Sequence, residues 1–109
     1  MTKKLTKRDI KTLQKSIGTA WSLHQDGNAL VRTFTFAQFF EAFMFVTRIG
    51  IHAEVMRQYP HIVIDAGTVI ITIQDRNTET LMSGNFELAK KIDVVFALST
   101  ATTRERITR

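Results

Sequence analysis

The 109-residue chain contains no cysteine, one proline, one tryptophan, one tyrosine and five glycines. Without cysteine there is no disulfide frame, no thiolate nucleophile and no cysteine-ligated metal, a usage that fits a cytosolic protein. No apolar run reaches the roughly 18–20 residues that a bilayer span requires. The basic start, Met1-Thr2-Lys3-Lys4, is not followed by the apolar stretch of a signal peptide, and Arg106-Ile107-Thr108-Arg109 is no anchor. The chain holds no glycine-rich phosphate loop and no nucleophile–base pair. Its three histidines, His24, His52 and His61, lack the spacing of a zinc site. The expectation is a cytoplasmic protein with no metal, no cofactor and no membrane contact.

Apolar residues make up 44% of the chain, enough for one core but at this length not for two. A single domain over 1–109 is expected, with an ordered core over 5–98 and basic terminal segments at 1–4 and 99–109. The net charge of +5 is unevenly placed. Lys3, Lys4, Lys7, Arg8, Lys11 and Lys15 face only Asp9 in the first 19 residues, and Arg104, Arg106 and Arg109 face only Glu105 at the end. The body between carries six basic and eight acidic side chains. A slightly acidic body with basic ends is not the footprint of a nucleic-acid-binding face, so no nucleic-acid partner is expected.

Along the chain, Thr6 with Asp9 three residues on forms an acidic capping box, Ile10, Leu13 and Ile17 recur at helical spacing, and Gly18 supplies the stop. A short strand at Trp21-Ser22-Leu23 precedes a turn at Gln25-Asp26-Gly27-Asn28. Leu30 to Phe36 then alternates, with Leu30, Arg32, Phe34 and Phe36 on one phase. An arginine in that set predicts a covered face that is not uniformly dry. From Phe36 to Gln58 the period becomes helical, and Phe36, Phe39, Phe40, Phe43, Val46, Thr47, Gly50 and Ala53 mark the expected core stripe. Gly50 costs about 1 kcal/mol relative to Ala inside a helix, which close approach of another backbone would explain. Pro60 stops the helix. His61 to Ile64 and Val69 to Gln74 read as a β-branched hairpin around Asp65-Ala66-Gly67-Thr68. A polar loop from Asp75 to Thr80 leads to Ser83 as an N-cap. The last helix is expected to end near Leu98, burying Phe86, Ala89, Ile92 and Phe96, with a frayed tail beyond Ser99. The order α-β-β-α-β-β-α gives a two-layer α+β fold, a four-stranded antiparallel sheet with helices on one face. Its open face and edges favour pairing with a second subunit.

Several pieces of the chain resemble the pterin-4a-carbinolamine dehydratases, also known as the dimerisation cofactor of a homeodomain transcription factor. They are Leu5-Thr6, Trp21, the Arg32-x-Phe34-x-Phe36-x-x-Phe39 junction, Phe45-Val46-Thr47-Arg48-Ile49-Gly50-Ile51-His52-Ala53-Glu54, and Leu88-Ala89-x-x-Ile92-Asp93. The resemblance covers residues 5–96. It implies a dimer through paired sheets or a tetramer through the helices. The family's site resembles Glu-x-x-x-His-His-Pro at the end of the long helix, then Thr-His-Asp or Thr-His-Glu after the last strand, with an aspartate further on. Carried over, the glutamate is Glu54 and the proline Pro60, while the two histidines fall on Gln58 and Tyr59. The threonine–histidine pair falls on Asp75 and Arg76, and the later aspartate on Asn85.

Dehydration of a carbinolamine needs an acid for the departing hydroxyl and a base for the amine proton, and imidazole serves both near neutrality. Gln58 has no titratable proton, Arg76 keeps its own, and a phenol such as Tyr59 releases one only well above neutrality. Loss of general acid–base catalysis removes about 10²–10⁴-fold in rate. Glu54 could carry residual chemistry or be a solvated surface carboxylate. His52 lies about 200° around the helix from Glu54 and faces away from it. His61, next to Pro60, is the one histidine expected near the site. The resemblance therefore implies a degenerate site and a non-catalytic protein. One branch of the family assembles Rubisco in the α-carboxysome, which makes the Rubisco large subunit the expected partner. A 4a-hydroxytetrahydrobiopterin dehydratase with an altered site is the alternative.

Overall fold

Residues 5–24, 27–75 and 80–108 are described by the computed structural model. The turn residues Gln25 and Asp26 and the site candidate Arg76 lie outside them. Helix α1 (Lys7–Ile17) begins where Thr6 Oγ1 accepts the Asp9 N–H and the Asp9 carboxylate accepts the Thr6 N–H, both at 3.1 Å. That reciprocal pair satisfies groups a helix start otherwise leaves without partners. Gly18 then turns the chain out at a φ of 79°, a value favoured by glycine.

Strands β1 (Ser22–His24), β2 (Ala29–Thr35), β3 (His61–Asp65) and β4 (Thr68–Ile73) form one antiparallel sheet in the order β1-β2-β4-β3. The period-2 alternation sorts its two faces. Leu30, Phe34, Val69, Ile71 and Ile73 are buried beneath the helices, with Ile62 and Ile64 packed beside them. Thr33, Thr35, His61, Val63, Asp65 and Ile70 are exposed on the other face. Gly67 sits where β3 turns into β4 for a packing reason. Its carbonyl accepts the Phe36 N–H at 2.8 Å, and a Cβ there would collide with the Phe36 carbonyl oxygen.

Arg32 on the covered face is held as the alternation implied. Its Nη1 lies 2.6 Å from Asp93 Oδ1, and its guanidinium rests 4.5 Å from the Phe34 ring centroid and 5.3 Å from that of Phe96. Trp21 Nε1 donates to both oxygens of the same carboxylate, at 2.9 and 3.1 Å. A polar junction thus ties the last helix, α3 (Ser83–Thr108), to the sheet through the aromatic core.

Helix α2 (Phe39–Met56) departs from its expected rotation. Its buried residues are Ala42, Phe45, Ile49 and Ala53, whereas Phe39, Phe40 and Phe43 are 58%, 55% and 54% exposed. Both phases of this helix are apolar, so periodicity alone could not orient it. Packing chose the phase with two alanines, which lets the helix sit close to its neighbours. Gly50 correspondingly meets nothing within 4 Å of its would-be Cβ among the described residues, so the expected close approach of another backbone is not found there. Helix α3 also differs at both ends. Ser83 is its first helical residue rather than its cap, and the helix continues past Leu98 to Thr108. No glycine or proline stands between Ser99 and Thr108 to end it.

Candidate functional site

The C-terminus of α2 builds one wall of a cleft. Arg57 takes a left-handed backbone (φ 56°, ψ 41°), its N–H donates to Glu54 O at 3.1 Å, and the Gln58 N–H donates to Ala53 O at 3.0 Å. This pair of bonds is a Schellman closure, and it swings the chain after residue 57 inward toward α3. The cleft has a volume of about 250 Å³ and is lined by Arg57, Gln58, Tyr59, Pro60, Ile73, Gln74, Asp75, Asn85 and Leu88. Five of the seven candidate positions therefore meet in one place. Glu54 is absent from the lining, and Arg76 lies outside the described residues.

Gln58 and Asn85 bond to each other and to the backbone. Gln58 Nε2 donates to the Gly84 carbonyl at 2.8 Å, and Gln58 Oε1 accepts Asn85 Nδ2 at 2.9 Å. Asn85 Oδ1 in turn accepts the Met82 N–H at 2.8 Å, and Asn85 is only 3% exposed. The backbone at the two ends fixes the direction of this relay. Met82 N–H can only donate and the Gly84 carbonyl can only accept, so each amide has one workable orientation. The result is a staple from the end of α2 to the start of α3.

Glu54 points outward and is exposed, with Tyr59 Oη donating to its Oε2 at 3.2 Å. Tyr59 is itself 51% exposed, at the rim of the cleft. Asp75 is half-buried in the cleft wall. No histidine reaches this space. His24 ends β1 in solvent, His52 lines a separate shallow pocket with Arg48, Ile51, Val95 and Leu98, and His61 is exposed on the open face of the sheet. The expectation that His61 lies near the site fails because β3 alternation turns its side chain to the uncovered face. Among the described residues no cluster of three or more His, Cys, Asp or Glu could hold a metal.

Sequence reasoning missed the staple and the Asp93 junction. Both join residues far apart in the chain, so no local spacing reports them. The sole available signal was the pair of amides at positions where titratable groups were expected.

A sequence model of pterin 4 alpha carbinolamine dehydratase matches residues 3–95. A Mesorhizobium japonicum protein that carries the pterin-4-alpha-carbinolamine dehydratase name is 34% identical over 93 residues, which are 85% of this chain and 94% of that protein. A transcriptional coactivator/pterin dehydratase from Brucella melitensis superposes with a TM-score of 0.80 at 19% identity, covering 86% of this chain and 99% of that one. A pterin dehydratase-like protein identified as a RuBisCO assembly factor in the alpha-carboxysome superposes with a TM-score of 0.62 at 20% identity, covering 72% and 92%. The last two likenesses are of fold. Taken with the sequence match along nearly its whole length, they place this chain in the pterin 4 alpha carbinolamine dehydratase family.

Proposed function

We propose that the chain is a non-catalytic member of its family that works through its surface, as an assembly or chaperone factor for Rubisco in the α-carboxysome. The observation that carries this reading is the staple. Two positions that the resemblance assigns to a catalytic histidine and a catalytic carboxylate hold Gln58 and Asn85, and both spend their side chains on internal hydrogen bonds. Neither can relay a proton to a substrate. No described residue lining the cleft is a histidine, and Glu54 is exposed and outside the lining, bonded to Tyr59 at the rim. The outer face of α2 supports a partner-binding role, because Phe39, Phe40, Phe43, Met44, Ile51 and Val55 are all more than half exposed. A helix apolar on both faces is one that buries both, here with the second against another chain. The Rubisco large subunit is the proposed partner, with the family's dimer or tetramer as the proposed assembly and the cytoplasm, in association with the carboxysome, as the location. Glu54, Gln58, Tyr59, Pro60, Asp75, Arg76 and Asn85 are the proposed remnants of the pterin site.

A second reading, dehydration of 4a-hydroxytetrahydrobiopterin by an altered site, is favoured by the relatives' names and by a cleft that still has room for a small ligand. One experiment separates the two. A spectrophotometric dehydratase assay is run beside a pull-down with Rubisco large subunits expressed with and without this chain. The expected result is no turnover above the uncatalysed rate, with stoichiometric capture of the large subunit. Turnover lost on Glu54→Gln or Asp75→Asn selects the dehydratase instead.

A further inference from the structure

We propose that the pocket between α2 and α3, lined by Arg48, Ile51, His52, Val95 and Leu98, binds a small organic acid: an apolar body that ends in a single carboxylate. The inference rests on neither reading above. The pocket has a volume of about 300 Å³, at the small end of ligand pockets, and shares no lining residue with the cleft at the end of α2. Arg48, Ile51 and His52 come from one face of α2, at helical spacings of three and four residues, and Val95 and Leu98 from one face of α3. Val95 is buried, whereas Ile51 and Leu98 are 61% and 62% exposed, so aliphatic surface stands open to a visitor on both walls.

Arg48 and His52 are the polar groups of the lining, one turn apart, and no carboxylate belongs to it. Arg48 is tethered across the two helices. Its Nη1 donates to Ser99 Oγ at 3.3 Å, and Ser99 Oγ donates in turn to the Val95 carbonyl at 2.8 Å. That single bond leaves the rest of the guanidinium fork without an acceptor among the described residues. Glu54 and Asp93, the acids adjacent in sequence to the lining, accept from Tyr59 and from Trp21 and Arg32 instead. A planar guanidinium matches a planar carboxylate through two parallel N–H···O bonds, and the His52 ring can add a third donor. Phosphate fits less well. It calls for a nest of backbone N–H groups, and three of the five lining side chains are aliphatic.

The probe for the test is 4-methylpentanoate, read by methyl NMR of the full chain labelled at Ile, Leu and Val. Saturable shifts are expected at Ile51, Val95 and Leu98, with a dissociation constant on the order of 10⁻⁴–10⁻³ M. No shift is expected at Ile73 and Leu88, which line the cleft. 4-Methylpentanamide keeps the body without the charge and acetate keeps the charge without the body, so each should bind at least about tenfold more weakly. Arg48→Gln, at an exposed position, is expected to weaken 4-methylpentanoate by about tenfold or more. Arg48→Lys keeps the charge without the fork and should fall between. Circular dichroism of each variant reports that it is folded. Absence of saturable shifts at Ile51, Val95 and Leu98, equal affinity for the amide, or full affinity in folded Arg48→Gln overturns the proposal.

Discussion

Gln58 and Asn85 each donate and accept at once, so the pair closes a relay between the end of α2 and the start of α3. Asp93 is the second residue on which much depends. It accepts from Trp21 and from Arg32 while partly buried, so Asp93→Ala removes two donors' partner and strands a guanidinium among aromatic rings. The expected cost is about 2–4 kcal/mol. It is measured by urea unfolding followed by the fluorescence of Trp21, the sole tryptophan, whose emission should also shift because its indole N–H loses its acceptor. Asp93→Asn keeps an acceptor for Trp21 and should fall between.

Among the elements, α2 carries two apolar faces, one buried and one exposed. Phe45 is 1% exposed and packs against Phe34 and Phe36, at ring-centroid separations of 4.9 and 5.2 Å. Phe45→Ala should cost about 3–5 kcal/mol. Phe39→Ser with Phe43→Ser touches only the outer face, where the two rings stack on each other at 6.2 Å. That double change should alter the stability of the isolated chain by less than about 1 kcal/mol. It should abolish capture of the protein partner. Equal loss of stability in the two experiments would mean that the outer face is structural within the chain. Gly50 belongs to the outer face by the same geometry, with open space where its Cβ would be.

For the whole molecule, the exposed apolar face of α2 and the edge of β3, paired with no described strand but β4, are two candidate contact surfaces. An assembly held by either surface is stabilised by mass action, and its melting temperature should rise with protein concentration. Calorimetry over a hundredfold concentration range checks this. A concentration-independent melting temperature would mean that the folded chain does not self-associate. The serine double change on α2 should leave any part of the dependence that comes from the strand edge.

How much was legible in the sequence follows from the range of the interactions. The Thr6–Asp9 box, the glycine after Ile17, Pro60 beyond the long helix and the β-branched hairpin arms act within a few residues, so residue order alone determined the seven elements and their sequence. The replacement of the family's histidines by Gln58, Tyr59 and Arg76 was likewise legible, through the resemblance. Three matters were decided only in three dimensions. The rotation of α2 depended on which of two apolar stripes could approach its neighbours closely, and side-chain volume, not hydrophobicity, chose Ala42 and Ala53. The joining of Gln58 to Asn85 and of Arg32 to Asp93 required residues 27 and 61 positions apart to meet. The exclusion of His61 from the cleft came from the face on which β3 presents it. Local periodicity carries no record of contacts between distant segments, and it is those contacts that separate the cleft from the surfaces that remain to be filled.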